Sequence, residues 1–190
     1  MIQSKADLID YLEADRHYLV PRNIKERLLM RYTAFPPYVI RTYLTFLRKQ
    51  EYYINTANGS KRKKLMALYY ERKKSWLGLR LGIEIAPNCF GKGLCIYHSG
   101  SIVVNAAVRA GENCKLHGGN CIGNNGVTQE APRLGDNVDI GFGAVLIGDI
   151  EIANDTIIGA NAVVNRSVSE PGSTVVGVPA VPVKRRAYDS

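Results

Sequence analysis

Three histidines and four cysteines are the side chains of this 190-residue chain best suited to chemistry near neutral pH. His98 and His117 fall in the second half of the chain and His17 near its start. An imidazole titrates close to neutrality, so it suits the removal of a proton from a hydroxyl group. A zinc site would need three ligands in a close constellation. Neither a His-x4-His nor a Cys-x-x-Cys pair is present, so no metal is expected. Cys89, Cys95, Cys114 and Cys121 read instead as small apolar packing residues of a reduced, cytoplasmic chain. The opening MIQSKADLIDYLEADRHYL is charged and amphipathic, unlike a signal peptide. No run approaches the roughly 20 apolar residues of a transmembrane segment.

The elements that must position these residues divide the chain in two. Residues 1–80 hold 17 Lys/Arg against 7 Asp/Glu, whereas 81–190 hold 8 against 10, so the net charge of +8 belongs to the first part. Its clusters are Lys61-Arg62-Lys63-Lys64 and Arg72-Lys73-Lys74. Such a surface suits a phosphorylated sugar carrier, an anionic polymer or a membrane. No helix-turn-helix, zinc-finger or RNA-binding signature accompanies it, so nucleic acid is not expected. The plain reading is a solvated helix face whose Leu65, Leu68, Tyr69 and Trp76 point to the core. Apolar residues recur at helical spacing up to about residue 80. Leu8, Ile9, Tyr11 and Leu12 form one stripe and Ile24, Leu28 and Leu29 a second, near Pro21. Val39, Ile40, Tyr43, Leu44 and Leu47 form a third after Pro36-Pro37, and a fourth runs to about Gly78. Four short helices are predicted, forming an α-helical N-terminal domain over 1–80.

After Gly82 the period becomes six. Leu134, Ile140, Leu146, Ile152, Ile158 and Val164 follow one another without a slip, and Gly135, Gly141, Ala153 and Gly159 supply small residues beside them. Ile96, Ile102, Val108 and Cys114 continue the spacing upstream, with a loop near Asn124–Pro132 interrupting it. A six-residue period fits neither a helix nor an alternating strand. It marks a solenoid in which three hexads close one triangular turn of 18 residues. Leu134 should then stack on Ile152, Ile140 on Ile158 and Leu146 on Val164, about 4.8 Å apart. The second part, 81–170, is therefore expected to be a parallel β-helix, with 171–190 as a tail, and the fold class is mainly β with an α-helical N-terminal part.

The segment Ile96-Tyr97-His98-Ser99-Gly100-Ser101-Ile102-Val103-Val104, the hexads from 134 to 169 and Gly177-Val178-Pro179-Ala180 resemble the hexapeptide-repeat acyltransferases. Within them the likeness is to the serine acetyltransferase-like branch. It covers roughly residues 82–184. What the resemblance implies is a left-handed parallel β-helix, an exception to the right-handed crossover rule. It also implies a homotrimer with sites in the clefts between chains, leaving open a dimer of trimers, and acetyl-CoA as donor. His98 stands where that branch has its general base. Glu84, in Glu84-Ile85-Ala86-Pro87, resembles its Asp-Ile-His-Pro segment and would orient the imidazole, against an exposed strand-edge carboxylate. His117, one coil plus one residue after His98, is either a second site residue or a surface histidine, and His17 is read as structural. On the CoA side the resemblance implies Gly123 and Asn124 beside the thioester, and Phe142 and Ala160 along the pantetheine arm, where alanines are usual. Lys184, Arg185 and Arg186 would hold the phosphates, unless they form only a solubilising tail.

The acceptor departs from the nearest family pattern. Serine needs partners for both its charges. The serine enzymes resemble one another in an Asp before the base and in an Arg-His-Pro loop motif. Here Tyr97 replaces the Asp, and Glu130 and Ala131 stand where Arg and His are expected. An aromatic ring beside the base suits the apolar face of a sugar. The expected activity is therefore acetyl-CoA-dependent O-acetylation of a carbohydrate hydroxyl, as in polysaccharide biosynthesis. Serine O-acetylation is the alternative, with Arg133 replacing the lost Arg. A non-catalytic trimeric scaffold is the alternative of another class. A β-helical carbonic anhydrase is set aside for want of a third histidine in the repeats.

Overall fold

The structure, a computed structural model, describes residues 1–16 and 22–183. Helix α1 (Lys5–Ala14) starts at a reciprocal cap: the Ser4 hydroxyl accepts from the Asp7 amide, and the Asp7 carboxylate accepts from the Ser4 amide. Helix α2 (Ile24–Tyr32) is capped by the Asn23 side chain. Helix α3 (Pro36–Asn55) begins on the Pro36-Pro37 pair, where a missing N–H leaves nothing unpaired. Helix α4 (Lys61–Leu81) runs from a Ser60 cap to Gly82, which adopts the left-handed conformation at φ 67°. The last two helices are 20 and 21 residues long, so the expected short helices are only half right.

Helix α3 buries Ile40, Tyr43, Leu44 and Leu47, as its period predicts. Helix α4 reverses the expectation. Ala67, Lys74, Leu77 and Gly78 face inward, while Leu65, Leu68, Tyr69 and Trp76 are 67%, 62%, 50% and 59% exposed. The cause lies at Gly78, where a Cβ would collide with the Ile83 carbonyl and the Tyr43 ring. Only the face with small residues can approach α3 and the first strand so closely. The Lys74 ammonium donates to the Ile85 carbonyl at 2.8 Å, and burial pushes its pKa down.

From Ile83 onward the chain winds into a triangular, left-handed parallel β-helix. The first face stacks β1 (Ile83–Ile85), β3 (Ile102–Val104), β6 (Cys121–Gly123), β9 (Val145–Ile147) and β12 (Val163–Val164). The second stacks β4 (Arg109–Ala110), β7 (Arg133–Leu134) and β10 (Glu151–Ile152). The third stacks β2 (Cys95–Ile96), β5 (Lys115–Leu116), β8 (Asp139–Ile140), β11 (Ile157–Ile158) and β13 (Thr174–Val176). There β14 (Val181–Val183) turns back antiparallel on β13, so residues 174–183 of the expected tail continue the third sheet. The registers Leu134↔Ile152, Ile140↔Ile158 and Leu146↔Val164 are those the period predicts.

The upstream phase needs correction. Strand pairing sets Ile96 over Leu116 and Val104 over Ile122, with Ala110 over Leu134. The true inward series is thus Val104, Ala110, Leu116, Ile122 and, after the loop, Leu134. Each hexad buries two residues, for example Val138 and Ile140, both 0% exposed. Val108 and Cys114 belong to the first of each pair, and so are buried but out of phase with Ile96. The loop before Leu134 therefore adds one whole hexad, and the irregular step lies earlier, between Ile96 and Val104.

One hydrophobic cluster runs from Ile40, Tyr43, Leu44, Leu47 and Leu77 into the prism interior, so helices and β-helix share a core. Arg48 fastens the junction. It is 0% exposed and pairs with Asp15 at 2.8 Å and Glu51 at 3.0 Å, and it donates to the carbonyls of Phe90 and Gly91. Asp15 also accepts from the Gly93 and Leu94 amides, and Glu51 from Asn88. Burial alone would lower the guanidinium pKa, but Glu51 and Asp15 together hold it above its ordinary value.

Three expected results follow from this packing. A Cβ on Gly141 would lie 2.6 Å from the Ala160 nitrogen and 2.8 Å from the Gly159 carbonyl carbon, both backbone. Gly141→Ala should therefore cost about 1–3 kcal/mol, read as a lowered urea midpoint. Cys89, Cys95 and Cys114 are buried, and burial pushes their thiols up to about 11, 11 and 12, whereas Cys121 is exposed. A disulfide reagent near pH 8 should modify Cys121 alone in the native chain and all four thiols after denaturation. These raised pKa values favour the neutral thiols in the fold. Their stabilisation is complete below the ordinary pKa of 9.0 and is lost as pH rises through the folded values, so the melting temperature should fall above about pH 9.

Candidate active site

His98 occupies the corner between the third and first faces, and this corner is longer than those beneath it. Ile96 to Val104 takes eight residues, while Leu116 to Ile122, Ile140 to Leu146 and Ile158 to Val164 each take six. The turn with the two extra residues carries the imidazole exposed. The turn is nevertheless well fixed. The Gly100 amide donates to the Leu81 carbonyl and the Ile102 amide to the Gly82 carbonyl, each at 2.8 Å, so the end of α4 anchors it. From below, the Gly119 amide donates to the Gly100 carbonyl at 2.9 Å. The buried Asn120 side chain accepts from the Gly118 amide and donates to the Gly141 carbonyl, pinning the next corner.

Continuing the third-face register by two residues sets His98, Gly118, Phe142 and Ala160 in one column. A Cβ on Gly118 would sit 3.1 Å from the Phe142 ring and 3.4 Å from the His98 Cβ. The glycine therefore leaves a notch, with His98 above it and a 54% exposed phenyl ring below it. Three of the expected site residues thus share one corner. Among the described residues no hydrogen bond or ion pair engages the His98 ring.

The neighbouring column holds Tyr97 and His117, whose rings stack with centroids 4.4 Å apart and planes 29° from parallel. His117 Nε2 lies 2.8 Å from Asp139 Oδ1, and Asp139 Oδ2 lies 3.6 Å from Lys115 Nζ. His117 is therefore held by its own carboxylate, one column aside from His98. Asp139 did not emerge from the sequence. It precedes Ile140 as Lys115 precedes Leu116, a signal that is readable only once the register is known.

The remaining expected residues lie elsewhere. Glu84 sits on β1 opposite Val103 with its side chain exposed, and none of the described ion pairs or hydrogen bonds joins it to His98. Gly123 and Asn124 open the loop at the corner between the first and second faces, where the Gly123 carbonyl accepts from the Gly148 amide. Arg133, on β7, lies 3.4 Å from Asp149 and 3.6 Å from Glu151, all exposed. In the loop, Glu130 is exposed and Ala131 buried. His17, Lys184, Arg185 and Arg186 lie outside the described residues. A cleft of about 520 Å³ between α2 and α3 touches none of the candidate residues. Among the described residues, no group of histidine, cysteine or carboxylate side chains could hold a metal ion.

A left-handed β-helix of hexapeptide repeats carrying an exposed imidazole on one lengthened corner defines the class. No family model matches the chain. Among curated proteins it is similar to the serine acetyltransferase of Staphylococcus aureus, 40% identical over 107 residues, covering 55% of this chain and 50% of that protein. The chain thus spans about half the length of such relatives. Among solved structures it resembles Neisseria gonorrhoeae serine acetyltransferase, with 28% identity and a TM-score of 0.67, covering 95% of this chain and 66% of that one. A serine acetyltransferase in complex with CoA matches at 26% identity and a TM-score of 0.63, covering 95% and 72%.

Proposed function

We propose that the chain is an acetyl-CoA-dependent O-acetyltransferase with His98 as general base. The observation that carries this reading is the exposed, unengaged imidazole above the notch at Gly118. The likeness to serine acetyltransferases, one of them solved with CoA, adds the donor. Acetyl-CoA is a co-substrate, and its thioester carbonyl is the electrophile. His98 removes the proton as the acceptor oxygen forms its bond to that carbonyl carbon. The oxyanion collapses, the carbon–sulfur bond breaks, and the imidazolium returns the proton to the departing thiolate. Phe142 and Ala160 lie below the base in the same column and would line the pantetheine arm.

The candidate residues divide between two corners of the prism, with Gly123, Asn124 and Arg133 on the corner away from His98. That division supports a homotrimer in which one chain's loop corner completes its neighbour's His98 corner. Lys184 and Arg185 would then meet the CoA phosphates.

Serine is the acceptor that the similar proteins support, and it replaces the carbohydrate as the first reading. No similar protein reported above acts on a sugar by name. One observation keeps the sugar as a second reading: Tyr97, in place of an Asp, presents a ring stacked on His117. Arg133, the proposed clamp for a serine carboxylate, already has two carboxylate neighbours. The test follows free thiol release from acetyl-CoA with serine and, separately, with mono- and oligosaccharide acceptors. Saturable serine-dependent release settles the acceptor, and sugar-dependent release alone restores the carbohydrate. No release with either would sink the enzymatic reading and favour the scaffold.

A further inference from the structure

We propose that the outward face of α4 docks on an anionic membrane surface. Leu65, Leu68, Tyr69, Trp76 and Leu79 recur at helical spacing on the side opposite the buried Ala67, Lys74, Leu77 and Gly78. All five are at least half exposed, and Leu79 reaches 86%. A helix already buried along one side has no folding reason to keep a second apolar stripe in water. The cations Lys61, Arg62, Lys64, Arg72, Lys73 and Arg80 lie within the stripe and along its edges, and all are exposed. Two of them lean on its aromatic rings, Lys73 over Tyr69 at 5.7 Å and Arg80 over Trp76 at 4.7 Å. Leucine, tryptophan and tyrosine flanked by lysine and arginine form the composition that lies in a headgroup interface, with rings at the boundary and cations on the phosphates.

Charge selects this occupant over a second copy of the chain. Glu71 is the sole acidic residue of α4, so two such faces meeting would set cation against cation. An anionic lipid surface supplies the opposite charge together with an apolar layer. The inference is independent of which acceptor is acetylated, although α4 ends at the Leu81 and Gly82 carbonyls that anchor the His98 turn. A docked α4 would therefore hold the candidate base close to the membrane.

Trp76 is the only tryptophan in the chain, so its emission reports the stripe directly. Full-length protein is mixed with vesicles of phosphatidylglycerol and phosphatidylcholine in equal parts, and with pure phosphatidylcholine, then floated on a density gradient. The expected result is flotation with the anionic vesicles only, a blue shift of Trp76 emission, and loss of both in high salt. Arg72→Gln with Lys73→Gln should weaken partitioning on the order of thirtyfold, about one cation's worth for each change. Leu68→Ser with Leu79→Ser, both at exposed positions, should abolish the blue shift while circular dichroism stays unchanged. No flotation at low salt would overturn the proposal, as would equal binding to both vesicle types. A Trp76 already shielded from quencher in the free protein, with pairs of trimers split by Leu79→Glu, would overturn it too by assigning the face to self-association.

Discussion

His98→Asn is expected to lower kcat on the order of 10²- to 10⁴-fold while leaving the fold and its melting temperature intact. The separation of effects comes from the structure. The imidazole is exposed on a turn whose conformation is set by backbone bonds to Leu81, Gly82 and Gly119, and no described side chain depends on the ring. Asparagine keeps much of its bulk and polarity but lacks a basic ring nitrogen. The KM for acetyl-CoA should change little, because the column of Phe142 and Ala160 below is untouched. A variant that loses thiol release and also unfolds, or one that retains full turnover, would show that the lengthened corner has another purpose.

Arg48→Met is expected to produce the largest loss of stability of any single change considered, about 3–5 kcal/mol. The substitution keeps length and apolar bulk but strands Asp15 and Glu51, whose side chains are 5% and 2% exposed. It also removes the donors to Phe90 and Gly91, which tie the first coil to α3. Urea denaturation at fixed protein concentration measures the effect. Adding Asp15→Asn and Glu51→Gln should restore part of the loss, since the damage is two uncompensated charges rather than a missing contact. If the triple variant is no more stable than Arg48→Met, packing rather than charge dominates the junction.

The lower rungs were legible in the sequence because each aliphatic residue of 134–164 faces inward once per side of the triangle, and no other fold enforces that spacing. The upper rungs misled because each hexad buries two residues, so a run counted in sixes can pass from one series to the other wherever the chain lengthens. It does so at His98, and the apparent irregularity at the loop was displaced from that corner. Helix α4 departs from expectation for a related reason: with apolar residues on both sides, periodicity reveals two faces but not which of them α3 accepts. Gly78, the residue that decides, carries no hydropathy signal. Around the site, His98 stood out through its flanking residues and the family likeness. Asp139 is 22 positions from its partner His117, an interval that conceals a contact one coil away.

The reversal of β14 against β13 has a consequence for solubility. A stack of parallel strands ends in a row of free amides and carbonyls, and such an edge invites the first rung of another molecule to continue it. On the third face that invitation is withdrawn, because a strand running the opposite way already occupies the position and offers its exposed Val181 and Val183 in the wrong direction for a further parallel rung. At the opposite end, the close seat of α4 on β1 leaves little room for an incoming strand. A fold whose geometry could propagate indefinitely is thereby given a beginning and an end.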